Sequence, residues 1–311
     1  MLKLNKRGRE EEKVRSYKFI INPIAGGGKT KALIPALEQV FKDHGADYDL
    51  YWTKGRGDGI DAAAKAAEEG FEIIVAVGGD GTVNEVLNGI AGTGAVLAAV
   101  HGGKGNDFAT AVGMPREIKA AGAALLNGNT RAIDLGRVMD RYFINSVGVG
   151  FDAAVAQRVN NGLKYFKGVS AYTYVFLEKL FSYKSVEAMI DIGNGPRQAV
   201  PLLVAVGIGQ AYGGGMKIVP DAIQDDGLFD VCVFEDSMSR LGLMYHFPKV
   251  FSGKLKYVAQ ASMYRVPEVK LQLSEPRPLH MEGEILVGDS MHFTLEPRAM
   301  TVLTGDINRQ S

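Results

Sequence analysis

Asp80 stands inside the pentapeptide Gly78-Gly79-Asp80-Gly81-Thr82, where the residue types suit a phosphate-bearing ligand. Glycines let a backbone approach a bulky anion with no Cβ in the way. The run Phe71 to Val77 before the pentapeptide is almost wholly apolar, and Val86, Leu87 and Ile90 after it have helical spacing. The segment reads as a buried parallel strand, a tight turn and a helix start. N–H groups at a helix start point at an anion, and the helix dipole favours its charge. A carboxylate beside a phosphate is repulsive unless a cation lies between them, so Asp80 points to a nucleotide carried with Mg²⁺. Thr82 is expected to cap the helix or donate to a phosphate.

Two further loops are placed in the same way. A strand at Tyr17–Ile21 stops at Asn22-Pro23-Ile24-Ala25-Gly26-Gly27-Gly28-Lys29, and a strand at Ala95–Val100 stops at His101-Gly102-Gly103-Lys104-Gly105-Asn106-Asp107-Phe108. A helix with Leu33, Leu37, Val40 and Phe41 on one face follows the first loop. A strand at Asp49–Trp52 precedes Thr53 and an Ala-rich helix over Asp61–Glu69. Strand alternating with helix predicts a parallel sheet covered on both faces. Ligands then bind outside the carboxyl ends of the strands, where loops 22–29, 78–82 and 101–108 all fall. Asp107 reads either as an Asx-type helix start or as a second carboxylate in the cleft. Carboxylates converging on one cleft repel unless a metal is bound or protons are shared. Lys29 is either a phosphate partner or a solvated loop residue.

After Arg131–Arg137 the pattern changes. Strand-like runs occupy 142–149, 186–192, 200–208, 228–234, 264–273 and 291–295, with helical candidates at 169–182 and 239–251. Short strands bounded by Gly, Pro and Asp predict an antiparallel β-sandwich. The expected organisation is a charged, solvated leader at 1–15, an α/β nucleotide-binding domain at 16–138 plus 298–308, and the β-sandwich at 139–297. The return of Ala299–Leu303 to the first domain is not decided by periodicity. Leu163–Lys167, Tyr172–Tyr183 and Leu241–Tyr257, the last with Lys249, Lys254 and Lys256, mix aromatics with lysines. Such stretches suit a membrane interface or helices packed on a sheet. Gly213-Gly214-Gly215 is a flexible or turning segment.

Bulk composition narrows the function. Among 311 residues, Lys+Arg and Asp+Glu are both 35, whereas a general nucleic-acid binder is usually more basic. The one cysteine, Cys232, permits no intrachain disulfide, which fits a reducing cytoplasmic setting. The five histidines show no metal spacing. No apolar run reaches the roughly 20 residues that span a bilayer. The first 15 residues lack the apolar core of a secretory signal.

Taken together, Asn22-Pro23-Ile24-Ala25-Gly26, Gly78-Gly79-Asp80-Gly81-Thr82, Gly105-Asn106-Asp107-Phe108-Ala109, Ile133-Asp134-Leu135-Gly136, Pro220-Asp221-Ala222 with Asp225-Asp226-Gly227, and Glu282-Gly283-Glu284 resemble the catalytic domain family of diacylglycerol kinases. That family includes soluble bacterial lipid kinases and the sphingosine kinases. The pieces occur in the family's order, from about residue 16 to 304. Gly-Gly-Asp-Gly-Thr alone also looks like NAD kinases; the Gly-Asn-Asp-Phe-Ala and Asp-Asp-Gly pieces narrow the resemblance to lipid kinases.

The resemblance implies an NAD kinase-like α/β domain, a β-sandwich, and an active site in the cleft between them. It implies ATP contacts from Asn22, Thr53, Gly78, Gly79, Asp80, Gly81, Thr82, Gly103, Lys104 and Asn106. Asp80 and Asp107 would organise Mg²⁺, with Asp134 in the same network. Asp226 and Glu284 would flank a second, structural Mg²⁺, although Asp226-Gly227 is also a strong turn signal. Glu282 would be the general base toward the lipid hydroxyl. The family has Asp there, one methylene shorter, and positioning is the main lever in phosphoryl transfer. Further departures are Ala25, His101, Lys104 and Thr110, where the family favours Ser, Pro, Thr and Arg. The implied function is an ATP- and Mg²⁺-dependent kinase at the inner membrane face, peripheral and homodimeric, with diacylglycerol as the leading acceptor. The rivals are phosphatidylglycerol, a sphingoid base or NAD as acceptor, and a nucleotide- and lipid-binding protein with little turnover.

Overall fold

The computed structural model describes residues 15–162 and 169–305. The charged leader, apart from Arg15, lies outside the described residues, as do Leu163–Lys167 and residues 306–308. The chain opens with β1 (Ser16–Ile21), a single turn α1 (Ala25–Gly28) and α2 (Thr30–Asp43). Then come β2 (Asp47–Trp52), α3 (Asp58–Glu68), β3 (Ile73–Gly78), α4 (Asp80–Ile90) and β4 (Val96–His101). These four strands are parallel, in the order β2-β1-β3-β4, with Phe19 beside Val75 and Val75 beside Ala98. Every residue of β3 is buried, as a strand covered on both faces requires. On one face α2 buries Ile34, Leu37 and Phe41, and the Phe41 ring meets Tyr17 and Phe19 edge-on at 4.9 and 5.1 Å. On the other, α3 buries Ala62, Ala63 and Ala66 against α4. Gly89 permits that approach, because a Cβ there would lie 2.4 Å from the Ile60 carbonyl oxygen.

Next are α5 (Asp107–Ala111), α6 (Ile118–Asn127), β5 (Thr130–Val138), β6 (Arg141–Phe143) and β7 (Ser146–Gly150). They are followed by α7 (Phe151–Asn160), α8 (Val169–Ser182), β8 (Ala188–Asp191), β9 (Arg197–Ala199), β10 (Pro201–Gly207), β11 (Phe229–Glu235) and α9 (Arg240–His246). The chain ends with β12 (Ala261–Val266), β13 (Glu268–Met281) and β14 (Glu284–Leu303). The order β12-β11-β10-β7-β13-β14 is antiparallel throughout.

The second half is nevertheless not a free-standing sheet. β14 pairs with β13 along its first part, then antiparallel with β5, and with β4 in parallel at Val302 and Leu97. One mixed sheet therefore runs through both halves. The change of partner falls where the β14–β5 register shifts, between Glu296 and Met300. Pro297 removes a ladder N–H there, and Arg298 takes a left-handed φ of 51°. That bulge lets one long strand serve two layers. On the outer face of β10 and β11, α7, α8 and α9 gather an apolar layer around Phe151, Phe176 and Phe234.

Candidate active site

The three predicted loops meet backbone to backbone. Gly102 N donates to the Gly78 carbonyl at 2.9 Å. A Cβ on Gly103 would lie 2.3 Å from Gly79 Cα, and one on Gly26 would lie 2.5 Å from Gly102 O. Asn106 adopts a left-handed φ of 58°, which Asn tolerates better than most residues. Its side chain accepts from Gly103 N at 2.8 Å and Gly102 N at 3.2 Å, and donates to Gly103 O at 3.0 Å. Asn22 donates to Thr82 Oγ1 at 3.2 Å and accepts from Ile24 N at 3.1 Å. The side chains of Asn22 and Asn106 thus shape the loops.

Of the two expectations for Thr82, helix cap or phosphate donor, the first is not met. Gly79 occupies the N-cap of α4, and no side chain caps there. The Thr82 hydroxyl is buried under Gly78, where a Cβ would approach it to 2.3 Å. Thr53 is buried at the end of β2, with its N–H on Ile21 O. Lys104 and Lys29 are exposed.

Three carboxyl groups converge where these loops face the second half. Asp80 accepts from Asn106 N at 2.8 Å and Phe108 N at 3.3 Å, so it ties the second loop to the third. Burial raises its pKa, against the pull of those N–H groups. Asp107 accepts from Gly214 N at 2.8 Å, anchoring the triple-glycine segment to the cleft. Burial, and then the neighbouring Asp80, push Asp107 up to about 6.

Glu282 occupies the hairpin between β13 and β14. It has φ 49°, followed by Gly283 at 94°, so both central turn residues are left-handed, as a type I′ turn demands. Its Oε1 accepts from Ile144 N at 2.6 Å and Asn145 N at 2.5 Å; its Oε2 accepts from Asn84 Nδ2 at 2.9 Å. Burial wins over these bonds and lifts the carboxyl to about 7. A general base is most effective when its pKa lies near the working pH.

The carboxyl cluster opens into a cavity of about 470 Å³. Asp80, Asp107 and Glu282 line it together with Phe151, Val155, Phe176, Leu203, Phe234 and other apolar side chains from α7, α8, β10, β11 and α9. A reactive acidic end therefore adjoins an oily chamber.

Other predicted residues are not brought to this point. Asp134 is fully buried, and its oxygens accept from Gly227 N and Arg298 N, both at 2.8 Å. It fastens the bulge of β14 to the 225–227 turn and is not in the cavity lining, where the resemblance had placed it in a network with Asp80 and Asp107. Asp226 and Glu284 do not share a partner either. Asp226 accepts from Leu228 N at 3.1 Å, as in a turn, and pairs with Arg265. Glu284 is held by Arg56 at 3.1 Å and Arg141 at 3.2 Å. Among the described residues no group of three or more His, Cys, Asp or Glu side chains forms a metal cage.

Several residues of the site were not singled out from the sequence. Asn84 is a fully buried amide amid Val83, Val86 and Leu87, and a polar residue on a core-facing helix stripe is the signal that marks it. Tyr212 donates to Asp152 Oδ2 at 2.7 Å in the cavity wall, and His280 lies beside Tyr212. No local spacing connects those three.

Glycine loops at the carboxyl ends of a parallel sheet, an acidic cluster and an adjoining apolar chamber define a phosphotransferase with an apolar acceptor. Residues 16–138 match the family described as diacylglycerol kinase catalytic domain, and residues 145–304 that described as YegS C-terminal NAD kinase beta sandwich-like domain. The diacylglycerol kinase of Bacillus subtilis (strain 168) is 33% identical over 278 residues, covering 87% of this chain and 90% of that protein. That of Staphylococcus saprophyticus is 32% identical over 257 residues, covering 79% and 84%. A crystal structure of a diacylglycerol kinase from Bacillus anthracis str. Sterne has the same fold, with a TM-score of 0.71 at 21% identity, covering 94% of this chain and 98% of that one. The chain belongs to the diacylglycerol kinase family and is a lipid kinase.

Proposed function

We propose that this kinase transfers the γ-phosphoryl group of ATP to the free hydroxyl of diacylglycerol, giving phosphatidic acid at the inner membrane face. The observation that carries this reading is the cavity that joins Asp80, Asp107 and Glu282 to an apolar chamber. Acyl chains suit that lining; the polar body of NAD does not.

Asp80 and Asp107 fit Mg²⁺. They are hard oxygen donors lining the same cavity, the repulsion of Asp80 on Asp107 is what a cation between them would relieve, and a nucleotide-bound Mg²⁺ needs only one or two carboxylates beside phosphate and water. When bound, the ion would neutralise charge on the phosphates. The glycine loops and the start of α4 receive those phosphates through backbone N–H groups. Glu282 has about four lone-pair sites, of which three are filled by Ile144, Asn145 and Asn84. The remaining site accepts the proton of the lipid hydroxyl. The hydroxyl oxygen bonds to the γ-phosphorus, the bond to the β–γ bridging oxygen breaks, and ADP leaves. Catalysis rests on positioning and charge stabilisation.

A membrane-facing surface adjoins the chamber. Phe251 lines the cavity and is also exposed, and Leu241, Tyr245, Tyr257 and Phe181 are exposed on the elements around it. Among the described residues no helix is long and apolar enough to cross a membrane. These side chains support a peripheral mode of contact.

Transfer of labelled γ-phosphate to diacylglycerol, phosphatidylglycerol and sphingosine in mixed micelles, with NAD as a soluble acceptor, tests the reading. Labelled phosphatidic acid as the main product supports it. Label in NAD, or ATP binding without any lipid product, overturns it.

A further inference from the structure

His280 is 7% exposed, lines the cavity and has no role in the chemistry above. It sits two residues before Glu282 on β13. His280 near the end of the strand and Glu282 in the turn that follows both line the cavity, while Met281 between them packs into the opposite core. The hairpin fixes the ring's tautomer: Gly283 N donates to His280 Nε2 at 3.2 Å, which leaves the proton on Nδ1. Among the described residues Nδ1 has no hydrogen-bond partner, and it is not one of the polar atoms sealed inside the protein. For a ring this buried, the open side is the cavity. The ring lies nearly parallel to Tyr212, with centroids 6.1 Å apart, and the Tyr212 hydroxyl is committed to Asp152. His280 therefore presents a fixed, unused N–H beside the base. Burial pulls its pKa down to about 4, so it stays a neutral donor at working pH.

We infer that His280 Nδ1–H donates a hydrogen bond to an ester carbonyl of the acceptor lipid, selecting O-acylated glycerols over sphingoid bases and ether lipids. The inference rests on the lipid-acceptor reading of the same cavity. In a 1,2-diacylglycerol an ester sits on the carbon next to the hydroxyl carbon, so one molecule presents both groups to Glu282 and His280, which line the same cavity. A sphingoid ammonium would meet this donor with another donor. His280 contributes to recognition; Glu282 takes the proton.

The test compares kcat/KM for a 1,2-diacylglycerol and its chain-matched 1,2-dialkylglycerol, in wild type, His280→Leu and His280→Gln. One neutral hydrogen bond in a buried site corresponds to about tenfold. Wild type is expected to prefer the diester by about that factor. His280→Leu loses it by falling on the diester alone, and His280→Gln, which keeps an N–H donor, recovers part of it. Equal losses on both lipids in His280→Leu, or no ester preference in wild type, overturn the inference and leave the lipid-kinase reading standing. Failure of wild type to label either lipid refutes that reading, and this inference with it.

Discussion

Replacing Glu282 by Gln should remove a large pH dependence of stability near neutrality. The carboxyl is enclosed, and burial raises it from 4.5 to about 7 in spite of three hydrogen bonds. That rise corresponds to about 3 kcal/mol of preference for the neutral form in the folded state. The folded pKa lies above the unfolded one, so the contribution is fully present below about 4.5 and is lost as pH rises through about 7. Above that, wild type holds a buried charge that Gln does not. Gln brings an opposing cost, because its amide nitrogen must face either the Ile144 and Asn145 N–H groups or the Asn84 amide. A donor buried against a donor costs about 1–3 kcal/mol. The variant is thus expected to be less stable than wild type at pH 5, and equal to or up to about 2 kcal/mol more stable at pH 8.5. Urea unfolding at both pH values measures this. A variant-minus-wild-type difference that is the same at pH 5 and pH 8.5 would refute the reasoning, since Glu282 would then not titrate in that window.

Three further outcomes follow from the geometry. Gly103→Ala drives a Cβ to 2.3 Å from Gly79 Cα, so it should cost about 3 kcal/mol and weaken ATP binding, read by thermal unfolding and nucleotide titration. Asp134→Asn leaves one of two backbone N–H groups facing an amide donor; stability should drop by about 1.5–3 kcal/mol while kcat per folded molecule stays unchanged, the opposite of what a catalytic Asp134 would give. Leu241→Ser removes a side chain that is 74% exposed near the chamber, so sedimentation with anionic vesicles should weaken about tenfold with turnover in micelles retained; unchanged sedimentation would move the contact surface elsewhere.

Much of the first half was legible in the sequence because its signals are local. The apolar run 73–77, the Gly-rich stop and the helical spacing after it specify a strand, a turn and a helix, and β3 and α4 follow. The charged partners of Asp226 and Glu284 were not legible, since Arg265, Arg56 and Arg141 arrive from distant segments. Helices α6 and α7 escaped notice: α6 is Ala-rich with weak patterning, and α7 starts directly from β7 at Gly150, whose φ of 111° no ordinary cap signal announces. The full lengths of β13 and β14 were obscured by Pro278 and Pro297, which fall at or beside irregular pairing. The chamber could not be foreseen, because its lining comes from α7, α8, β10, β11 and α9, which only the tertiary fold assembles.

The most direct measurement is the pH profile of γ-phosphoryl transfer to diacylglycerol by wild type and Glu282→Gln between pH 5.5 and 8.5. With Glu282 as the base, wild-type kcat/KM rises as the carboxyl ionises around pH 7, and the variant is slower by about 10²–10⁴-fold with that rise gone. A variant within a few-fold of wild type, with the same profile, would contradict the assignment of the acidic end of the cavity as the site of proton transfer.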